Sequence, residues 1–456
     1  MKKIVFTLVI SGVILGGVGG GCGWKTGEMA KGILVNDPIR FADGYKYFRW
    51  CAGGVPGVAR LPELLDGKTY VILLQNNNEL RASGGFMGSY AKLKFVKGGL
   101  AELAVQDIYV PDGQLVGHVD PPIPIQQAFG QGWWKLRDSN WDIDFRVAGE
   151  QIAWFFEQGG EKVDGMAAVN LSWVNKWLEV LGEVKTEGYG ERVTARNLAG
   201  LAQKYAEVGF FPGSTQKRDF LGAVGGAVLK RTKEMKISEG MKLAKLVYNE
   251  LGKKQIVLWF RDKETAEIIR EKEWDGGWGD YGAGDYLYVV EANLGANKAN
   301  CCVSREVTQE VTGEREKVRI RWDNRNEFTN PRPPVFWGGD YVDFVRVVVP
   351  AGAAVRGVMV GSKELSEREN WTWHYGIEEE VYVVEEKERF KIVGFWAKVP
   401  AGQSTTAEII YDLPATGQIL VRRQPGMESF GYKLVVDGKV VVSDTIDRDK
   451  GYTWTK

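Results

Sequence analysis

A polar, glycine-rich loop near the start of the chain concentrates side chains that can bind a ligand. It follows Tyr70–Gln75, an apolar run that is typical of a strand buried on both faces. Backbone amides of a glycine turn can hold an anion, and an arginine can clamp a phosphate or carboxylate through two parallel hydrogen bonds. The candidate ligand-binding residues of this loop are Asn76, Asn77, Glu79, Arg81, Gly84 and Gly85. The alternative is that these groups satisfy the backbone of the loop and pair with one another.

A second predicted strand, rather than a helix, follows the glycines of this loop. P-loops and dinucleotide-binding fingerprints place a phosphate at the N-terminus of a helix. The pattern therefore excludes both of these nucleotide-binding motifs.

Two further charged clusters are candidates for chemistry. Arg137 and Asp138 precede two more aspartates, and carboxylates beside an arginine can hold magnesium on a phosphate-bearing ligand. Arg218 and Asp219 stand at the predicted start of a helix. The alternatives are a helix cap with solvated charges for the first cluster and a solvated helix start for the second. Convergence of these clusters with the glycine loop on one pocket would favour a function, since unrelated surface charges need not converge.

The composition excludes several classes of function. Lys+Arg 59 balances Asp+Glu 59, so no net field attracts nucleic acid, and we expect no nucleic-acid partner. The two histidines are far apart, which argues against a histidine-centred triad or a zinc hydrolase. The adjacent Cys301 and Cys302 fit neither a redox pair nor a zinc knuckle, and we expect plain strand residues on opposite faces. Most of the 17 tryptophans are expected in the core, and exposed ones can stack on sugars.

The N-terminus predicts export. Two lysines precede Ile4–Gly21, an uncharged run of about 18 residues, which is the minimum for a membrane span. Three alternatives stay open for residues 1–22: a lipoprotein signal with Cys22 lipidated, an uncleaved membrane anchor, or a cleaved signal. All three place the rest of the chain outside the cytoplasm, because the positive charges precede the apolar run.

The remaining pattern predicts two domains behind a tether. Residues 23–67 are interpreted as the tether, and residues 68–284 as an α/β layered domain whose early hairpin makes the sheet mixed. Within it, residues 110–132 are rich in Pro and Gly and predict a long ordered loop, and Asp144 is expected to cap a helix. Period-two, β-branched runs then predict an all-β sandwich region over residues 285–456.

Several motifs carry a resemblance to a family. They are the runs at 74–86 (Leu-Gln-Asn-Asn-Asn-Glu-Leu-Arg-Ala-Ser-Gly-Gly-Phe), 137–145, 163–165, 291–298 and 423–426. From about residue 68 onward the chain resembles the bacterial domain-of-unknown-function 4012 family, for which the resemblance implies no established activity.

The order of elements is more distantly similar to the LytR-CpsA-Psr phosphotransferases of the cell envelope, which move a glycan from a polyprenyl pyrophosphate carrier onto the wall. This resemblance implies a LytR-CpsA-Psr-like mixed sheet, with Arg81, Asp107 and Arg218 at the phosphates and a magnesium ion on Asp107. The Arg-Asp-Thr motif of that family corresponds to Gln106-Asp107-Ile108 here.

Two hypotheses for the function follow. In the first, the protein is tethered to the membrane through its N-terminus, lies in the cell envelope and binds an envelope glycan or a lipid-linked phosphate without catalysis. In the second, it is a LytR-CpsA-Psr-like phosphotransferase that attaches glycans to the cell wall. Whether the chain is an enzyme is left open by the sequence.

Overall fold

The computed structural model describes residues 20–52, 58–113, 117–208, 215–235, 237–279, 284–329, 338–414 and 416–454. The chain divides into two compact units. Unit 1 comprises Met1–Gln75, Met87–Val116 and Asp144–Gly277, and unit 2 comprises Asn76–Phe86, Gly117–Ile143 and Trp278–Lys456. The boundaries expected from sequence, 68–284 and 285–456, do not anticipate that residues 76–86 and 117–143 group with the C-terminal region.

The helices, numbered along the chain, are α1 Gly20–Leu34, α2 Pro38–Ala52, α3 Leu61–Leu64, α4 Tyr109–Asp112, α5 Ile123–Phe129, α6 Phe145–Gln158, α7 Leu171–Leu181, α8 Leu198–Glu207, α9 Gln216–Lys233, α10 Ile237–Gly252 and α11 Lys263–Glu271. None of the helices in these described stretches is both long and apolar enough to cross a membrane. Most of the uncharged run Ile4–Gly21 lies outside the described residues, as does the side chain of the lipidation candidate Cys22.

The strands of the first half are β1 Thr69–Arg81, β2 Gly84–Val96, β3 Gly99–Asp107, β4 Gly165–Asn170, β5 Val184–Lys185, β6 Arg192–Val193 and β7 Ile256–Phe260. Five of them form one sheet in the order β3-β2-β1-β4-β7. Strand β1 is parallel to β4, whereas β2 with β3 and β4 with β7 are antiparallel. The predicted α/β domain with a mixed sheet is therefore confirmed.

The apolar residues of unit 1 explain how its layers pack. Ile72 of β1, Trp173 of α7 and Val247 of α10 are buried in one cluster, so helices cover the sheet. Met29 and Phe41, from α1 and α2, belong to the same cluster. The segment predicted as a tether therefore contributes a helical hairpin to the core. The predicted cap of α6 is confirmed, since the Asp144 carboxylate accepts a hydrogen bond from the amide of Arg146.

The expectation of a long loop over residues 110–132 is wrong, because α5 lies within this segment and α4 extends into its start. Proline is compatible with the first turn of a helix, where the missing N–H has no helical partner. Pro122 occupies the N-cap position of α5, Pro124 lies in its first turn, and Gly130 ends the helix in the left-handed conformation. The prolines and the glycine thus mark the two ends of a short helix.

The strands of the second half are β8 Asp285–Asn293, β9 Val303–Thr312, β10 Arg315–Asn324, β11 Tyr341–Pro350, β12 Ala354–Val360, β13 Lys363–Glu364, β14 Ser366–Arg368, β15 Val381–Lys387, β16 Phe390–Val399, β17 Ser404–Asp412, β18 Gln418–Arg422, β19 Phe430–Val436, β20 Lys439–Ile446 and β21 Lys450–Thr453. They form two seven-stranded sheets, β13-β12-β17-β10-β9-β19-β20 and β14-β15-β16-β11-β8-β18-β21. Val289 and Val345 of one sheet share a buried cluster with Val318 and Ile409 of the other. The predicted β-sandwich is confirmed.

Cys301 and Cys302 were expected to be strand residues on opposite faces, and that prediction is wrong. They form a disulfide with each other at the end of the short turn Ala299–Cys301, directly before β9. Two thiols that are adjacent in sequence can meet only where the backbone turns, which a straight strand does not allow.

Two carboxyl groups share a buried polar site inside the sandwich. The amide nitrogen of Gln309 donates to Asp285 at 2.7 Å and to Glu316 at 2.6 Å, and the Tyr411 hydroxyl donates to Glu316 at 3.0 Å. Burial raises the pKa of Asp285 well above its usual range, and the charge of Glu316 raises it further. Burial also raises the pKa of Glu316. The pair therefore retains a proton in the folded protein at a pH where both groups ionise in the unfolded chain.

This pair makes the stability of unit 2 fall with rising pH. A carboxyl whose pKa is raised by folding contributes to the free energy of unfolding in full at a pH below its pKa in the unfolded chain, which is about 3.9 for Asp. This contribution is lost as the pH rises through the pKa of the folded protein. Asp285→Asn supplies an amide donor that cannot ionise, so we expect its free energy of unfolding to decline less than that of the wild type between pH 5 and pH 8. Urea unfolding at several pH values measures the slope.

Asp412→Asn is the matched control, because its slope between pH 5 and pH 8 should equal that of the wild type. Hydrogen bonds from Arg315 and Arg356 hold the pKa of Asp412 below its usual range, so removing this carboxylate costs stability above about pH 4 and not below it. Equal slopes for Asp285→Asn and the wild type would show that the buried pair does not hold a proton.

Candidate functional site

Arg81, the central residue of the predicted loop, is buried in unit 2 with only 3% of its surface exposed. Its guanidinium donates to the Glu79 carboxylate at 2.9 Å and to the backbone carbonyl of Asn293. The rings of Phe86 and Phe129 lie 5.4 and 6.0 Å from the guanidinium carbon. These contacts give Arg81 a structural role within unit 2, while its role as a ligand contact stays a prediction.

The asparagines and glycines of the loop also make contacts within unit 2. Asn77 donates to the carbonyl of Gly426 at 3.0 Å, and the side-chain oxygen of Asn76 accepts from the amide of Asn78 at 3.1 Å. A Cβ on Gly85 would collide with the backbone that joins Asn76 to Asn77. Gly84 has a φ of +136°, which side chains disfavour. Close backbone approach and backbone conformation therefore account for these two glycines.

The charged cluster of Arg137 and Asp138 contacts Arg81 of the glycine-rich loop. A carboxylate oxygen of Asp138 lies 3.8 Å from the Arg81 guanidinium, and the other lies 3.3 Å from the guanidinium of Arg137. Asp138 is buried, whereas Arg137 is partly exposed and also donates to Gln131 at 3.4 Å. Together with Glu79, these side chains form a chain of alternating charges within unit 2, and its formal charge is zero.

The third cluster and Asp107 lie in unit 1. Asp107 ends β3 opposite Ser89, and its carboxylate accepts from the amide of Tyr109 at 3.1 Å. Lys217, in the first turn of α9, donates to the carbonyl of Gly88 at 3.0 Å. The start of α9 therefore lies beside the strand pair that ends at Asp107.

Arg218 and Asp219 next to Lys217 pair with each other. The Arg218 guanidinium donates to Asp219 at 3.0 Å, and the Thr215 hydroxyl donates to the same carboxylate at 2.6 Å. The hydrogen bond from Thr215, with a smaller contribution from Arg218, lowers the pKa of Asp219. The structure thus distributes the sequence candidates over two sites, with Arg81, Arg137 and their partners in unit 2 and Asp107, Arg218 and Asp219 in unit 1.

The predicted magnesium on Asp107 has little support in the donor set. Over the ranges that the structure describes, no three His, Cys, Asp or Glu side chains gather in a way that could hold a metal ion. Magnesium is often held by one or two carboxylates together with substrate phosphates, so Asp107 alone would depend on the ligand for the remaining donors.

A cleft of about 540 Å³ in unit 1 was not found from the sequence. It lies among α6, β7 and α11, and this volume falls within the usual range for small-ligand sites. Trp154 of α6, 37% exposed, and the partly exposed Trp259 of β7 contribute two indole rings to its walls. One feature of the sequence was consistent with an exposed tryptophan at this cleft: Trp154 lies outside the apolar face of α6 that Ile152 and Phe156 share.

The charged groups of the cleft are balanced in number, and its arginines lie near carboxylates. Its lining includes four basic and four acidic side chains: Arg146, Arg261, Lys263, Arg270, Glu150, Glu157, Glu267 and Asp275. Arg261 pairs with Glu157 at 2.7 Å and Arg270 with Glu267 at 2.6 Å, while Arg146 lies 3.9 Å from Asp275. The walls therefore present hydrogen-bond donors and acceptors side by side, with a formal net charge of zero.

Comparisons with known proteins agree with the resemblance seen in the sequence. Residues 66–206 match the model of DUF4012, a protein family of unknown function. The search of curated proteins finds no match.

Solved structures that resemble the chain include LytR-CpsA-Psr proteins. One is the LytR-Csp2A-Psr enzyme from Actinomyces oris, at 12% identity over 46% of this chain and 77% of that chain, with a TM-score of 0.28. Another is TagT bound to LI-WTA, at 12% identity over 46% and 90% of the two chains, with a TM-score of 0.25. Protein gbs0355 from Streptococcus agalactiae is 14% identical over 47% and 76% of the two chains, with a TM-score of 0.31.

Proposed function

We propose that this protein is an extracytoplasmic, membrane-tethered protein of the cell envelope that binds a neutral, hydroxyl-rich glycan in the cleft of unit 1. The single observation that carries the proposal is the lining of that cleft, in which two tryptophans stand among paired arginines and carboxylates. The export segment predicted at residues 1–22 supplies the location.

The tryptophans favour a sugar ring as the ligand. An indole face is a rigid apolar platform, and the axial C–H groups of a pyranose form the matching apolar surface. Trp154 is 37% exposed on α6 and packs edge-on against the ring of Phe155 at 5.1 Å, so part of its indole surface is available to a ligand.

The balanced charges favour one of the two ligand classes that the sequence left open. A pyrophosphate carries several negative charges, and a site for it would need an excess of cations. In the cleft, three of the four cations lie near a carboxylate of the lining: Glu157 for Arg261, Glu267 for Arg270 and Asp275 for Arg146. Hydroxyl groups both donate and accept, so a neutral glycan can satisfy such pairs without separating them.

The phosphotransferase alternative draws its support from another part of unit 1. Lys217 donates a hydrogen bond to the carbonyl of Gly88, which lies next to the strand pair that ends at Asp107. A cation and a carboxylate therefore lie at the same edge of the sheet. Arg81, the guanidinium that the alternative would also use, is buried with Glu79 in unit 2. A neutral-glycan site is therefore the better-supported proposal.

Trp154→Ala is expected to weaken glycan binding by about tenfold, which corresponds to about 1.4 kcal/mol. The reason is the loss of the indole platform in the wall of the cleft. Isothermal titration of the full chain in detergent, with chitotetraose as a neutral glycan and with inorganic pyrophosphate plus magnesium as the anionic probe, measures both ligand classes.

Trp133→Ala is the matched control for this titration, because Trp133 is 56% exposed but is not among the residues that line the cleft. Its affinity for chitotetraose should equal that of the wild type. Binding of pyrophosphate but not chitotetraose, with loss of the pyrophosphate signal in Asp107→Asn, would contradict the glycan proposal and favour the phosphotransferase.

A further inference from the structure

Helices α1 and α2 form a closely packed antiparallel hairpin whose register can be read from two glycines. Gly32 of α1 lies so close to the backbone of Phe41 that a Cβ would not fit, and Gly44 of α2 lies equally close to Met29. Gly44 lies opposite Met29, so counting six residues forward in α2 and six residues backward in α1 sets Trp50 opposite Gly23. Trp50 therefore lies at the end of the hairpin where the uncharged run Ile4–Gly21 finishes.

The outward face of α2 carries large apolar side chains that are exposed. Trp50 is 84% exposed and Tyr47 is 50% exposed, whereas Phe41 and Phe48 on the opposite side of the helix are buried. The exposed indole of Trp50 offers apolar surface whose removal from water would be favourable.

Basic side chains accompany the two aromatic residues. Lys46 and Arg49 are both exposed and lie within one turn of Trp50, and Asp43 is the acidic residue nearest to them on the same face. Aromatic rings next to Lys and Arg are typical of the boundary between lipid and water, where indole and phenol rings lie at the headgroup level and the cations approach anionic lipids.

We propose that the C-terminal half of α2 rests on the lipid surface, with Trp50 and Tyr47 among the headgroups and Lys46 and Arg49 against anionic lipids. The occupant of this face is the membrane because the register places Trp50 beside Gly23, immediately after the predicted membrane segment. The same placement holds for a lipidated Cys22 and for an uncleaved anchor. Ile39, about 16 Å further along the helix, lies beyond this contact. The proposal rests on the membrane tether in the proposed function.

Brominated lipids can test this contact in the full chain. The protein is reconstituted into vesicles of phosphatidylcholine and phosphatidylglycerol at a ratio of about three to one, with and without bromine high on the acyl chains, and the quenched share of its tryptophan emission is measured. Trp50→Phe should lower that share by about half or more. Trp373→Phe is the matched control, because Trp373 is 64% exposed but does not belong to α2, and its quenching should equal that of the wild type.

The outcomes separate this surface from the rest of the proposed function. Equal quenching of Trp50→Phe and the wild type in chains that float with the vesicles overturns the contact of α2 alone. A full chain that does not float with the vesicles overturns the tether and this contact together. Chitotetraose binding of Trp50→Phe should equal that of the wild type, and a loss of binding would contradict a purely lipid-facing role.

Discussion

Replacing Arg305 with Met is expected to lower the free energy of unfolding of unit 2 by about 3–5 kcal/mol. Arg305 and Glu291 form a buried pair with two hydrogen bonds, of 2.6 and 2.8 Å, in the sandwich. The Tyr341 hydroxyl donates to the same carboxylate. Asp343 is buried nearby: burial raises the pKa of Asp343, and the charge of Glu291 raises it further. Without the guanidinium, Glu291 would be a charge in an apolar core with no cation.

Urea unfolding followed by tryptophan fluorescence measures this loss. The double variant Arg305→Met with Glu291→Leu is the informative comparison, because it removes both charges and should recover most of the lost stability. A loss below about 1 kcal/mol in Arg305→Met would contradict the expectation, since it would mean that water replaces the guanidinium at Glu291.

Replacing Arg81 with Met should cost about 3 kcal/mol or more, because it leaves the buried carboxylates of Glu79 and Asp138 without their central cation. The carbonyl of Asn293 would lose a donor as well. Thermal and urea unfolding of the full chain measure the change. Arg137→Met is the matched control, because its guanidinium pairs with the same Asp138 from a partly exposed position and should cost less than about 1 kcal/mol.

Ligand titrations of the Arg81 variant distinguish its two roles. The glycan cleft lies in unit 1, so the folded Arg81→Met variant should bind chitotetraose as the wild type does. An Arg81→Met variant of unchanged stability that loses binding of pyrophosphate would contradict the structural role and support the ligand contact predicted from the sequence.

Local patterns predicted those parts of the fold that local physics determines. The apolar run Tyr70–Gln75 forms part of a strand, Asp144 caps a helix, and the period-two pattern after residue 285 forms a sandwich. The helix α5 was missed because prolines were interpreted as loop formers, although the first turn of a helix accepts them. The disulfide between Cys301 and its neighbour depends on a turn that the composition of the segment does not reveal.

The candidate sites were predictable to a smaller extent, because they depend on distant contacts. The meeting of Arg81 with Asp138 was proposed as a possibility and is present, yet neither charge pattern indicated that both side chains would be buried. The cleft draws its walls from α6 (Phe145–Gln158) and, far along the chain, from β7 (Ile256–Phe260) and α11 (Lys263–Glu271). Only folding brings Trp154 and Trp259 together, so no motif marks the site.

The division of the chain into units has a consequence for biosynthesis. Unit 2 takes residues 76–86 and 117–143 from the middle of the first half and the rest from after residue 277. During translation, these two early segments must wait until the C-terminal strands have left the ribosome. The gene therefore cannot be cut near codon 284 into two self-sufficient products, and a nascent chain arrested there would expose the apolar side chains of both segments to chaperones.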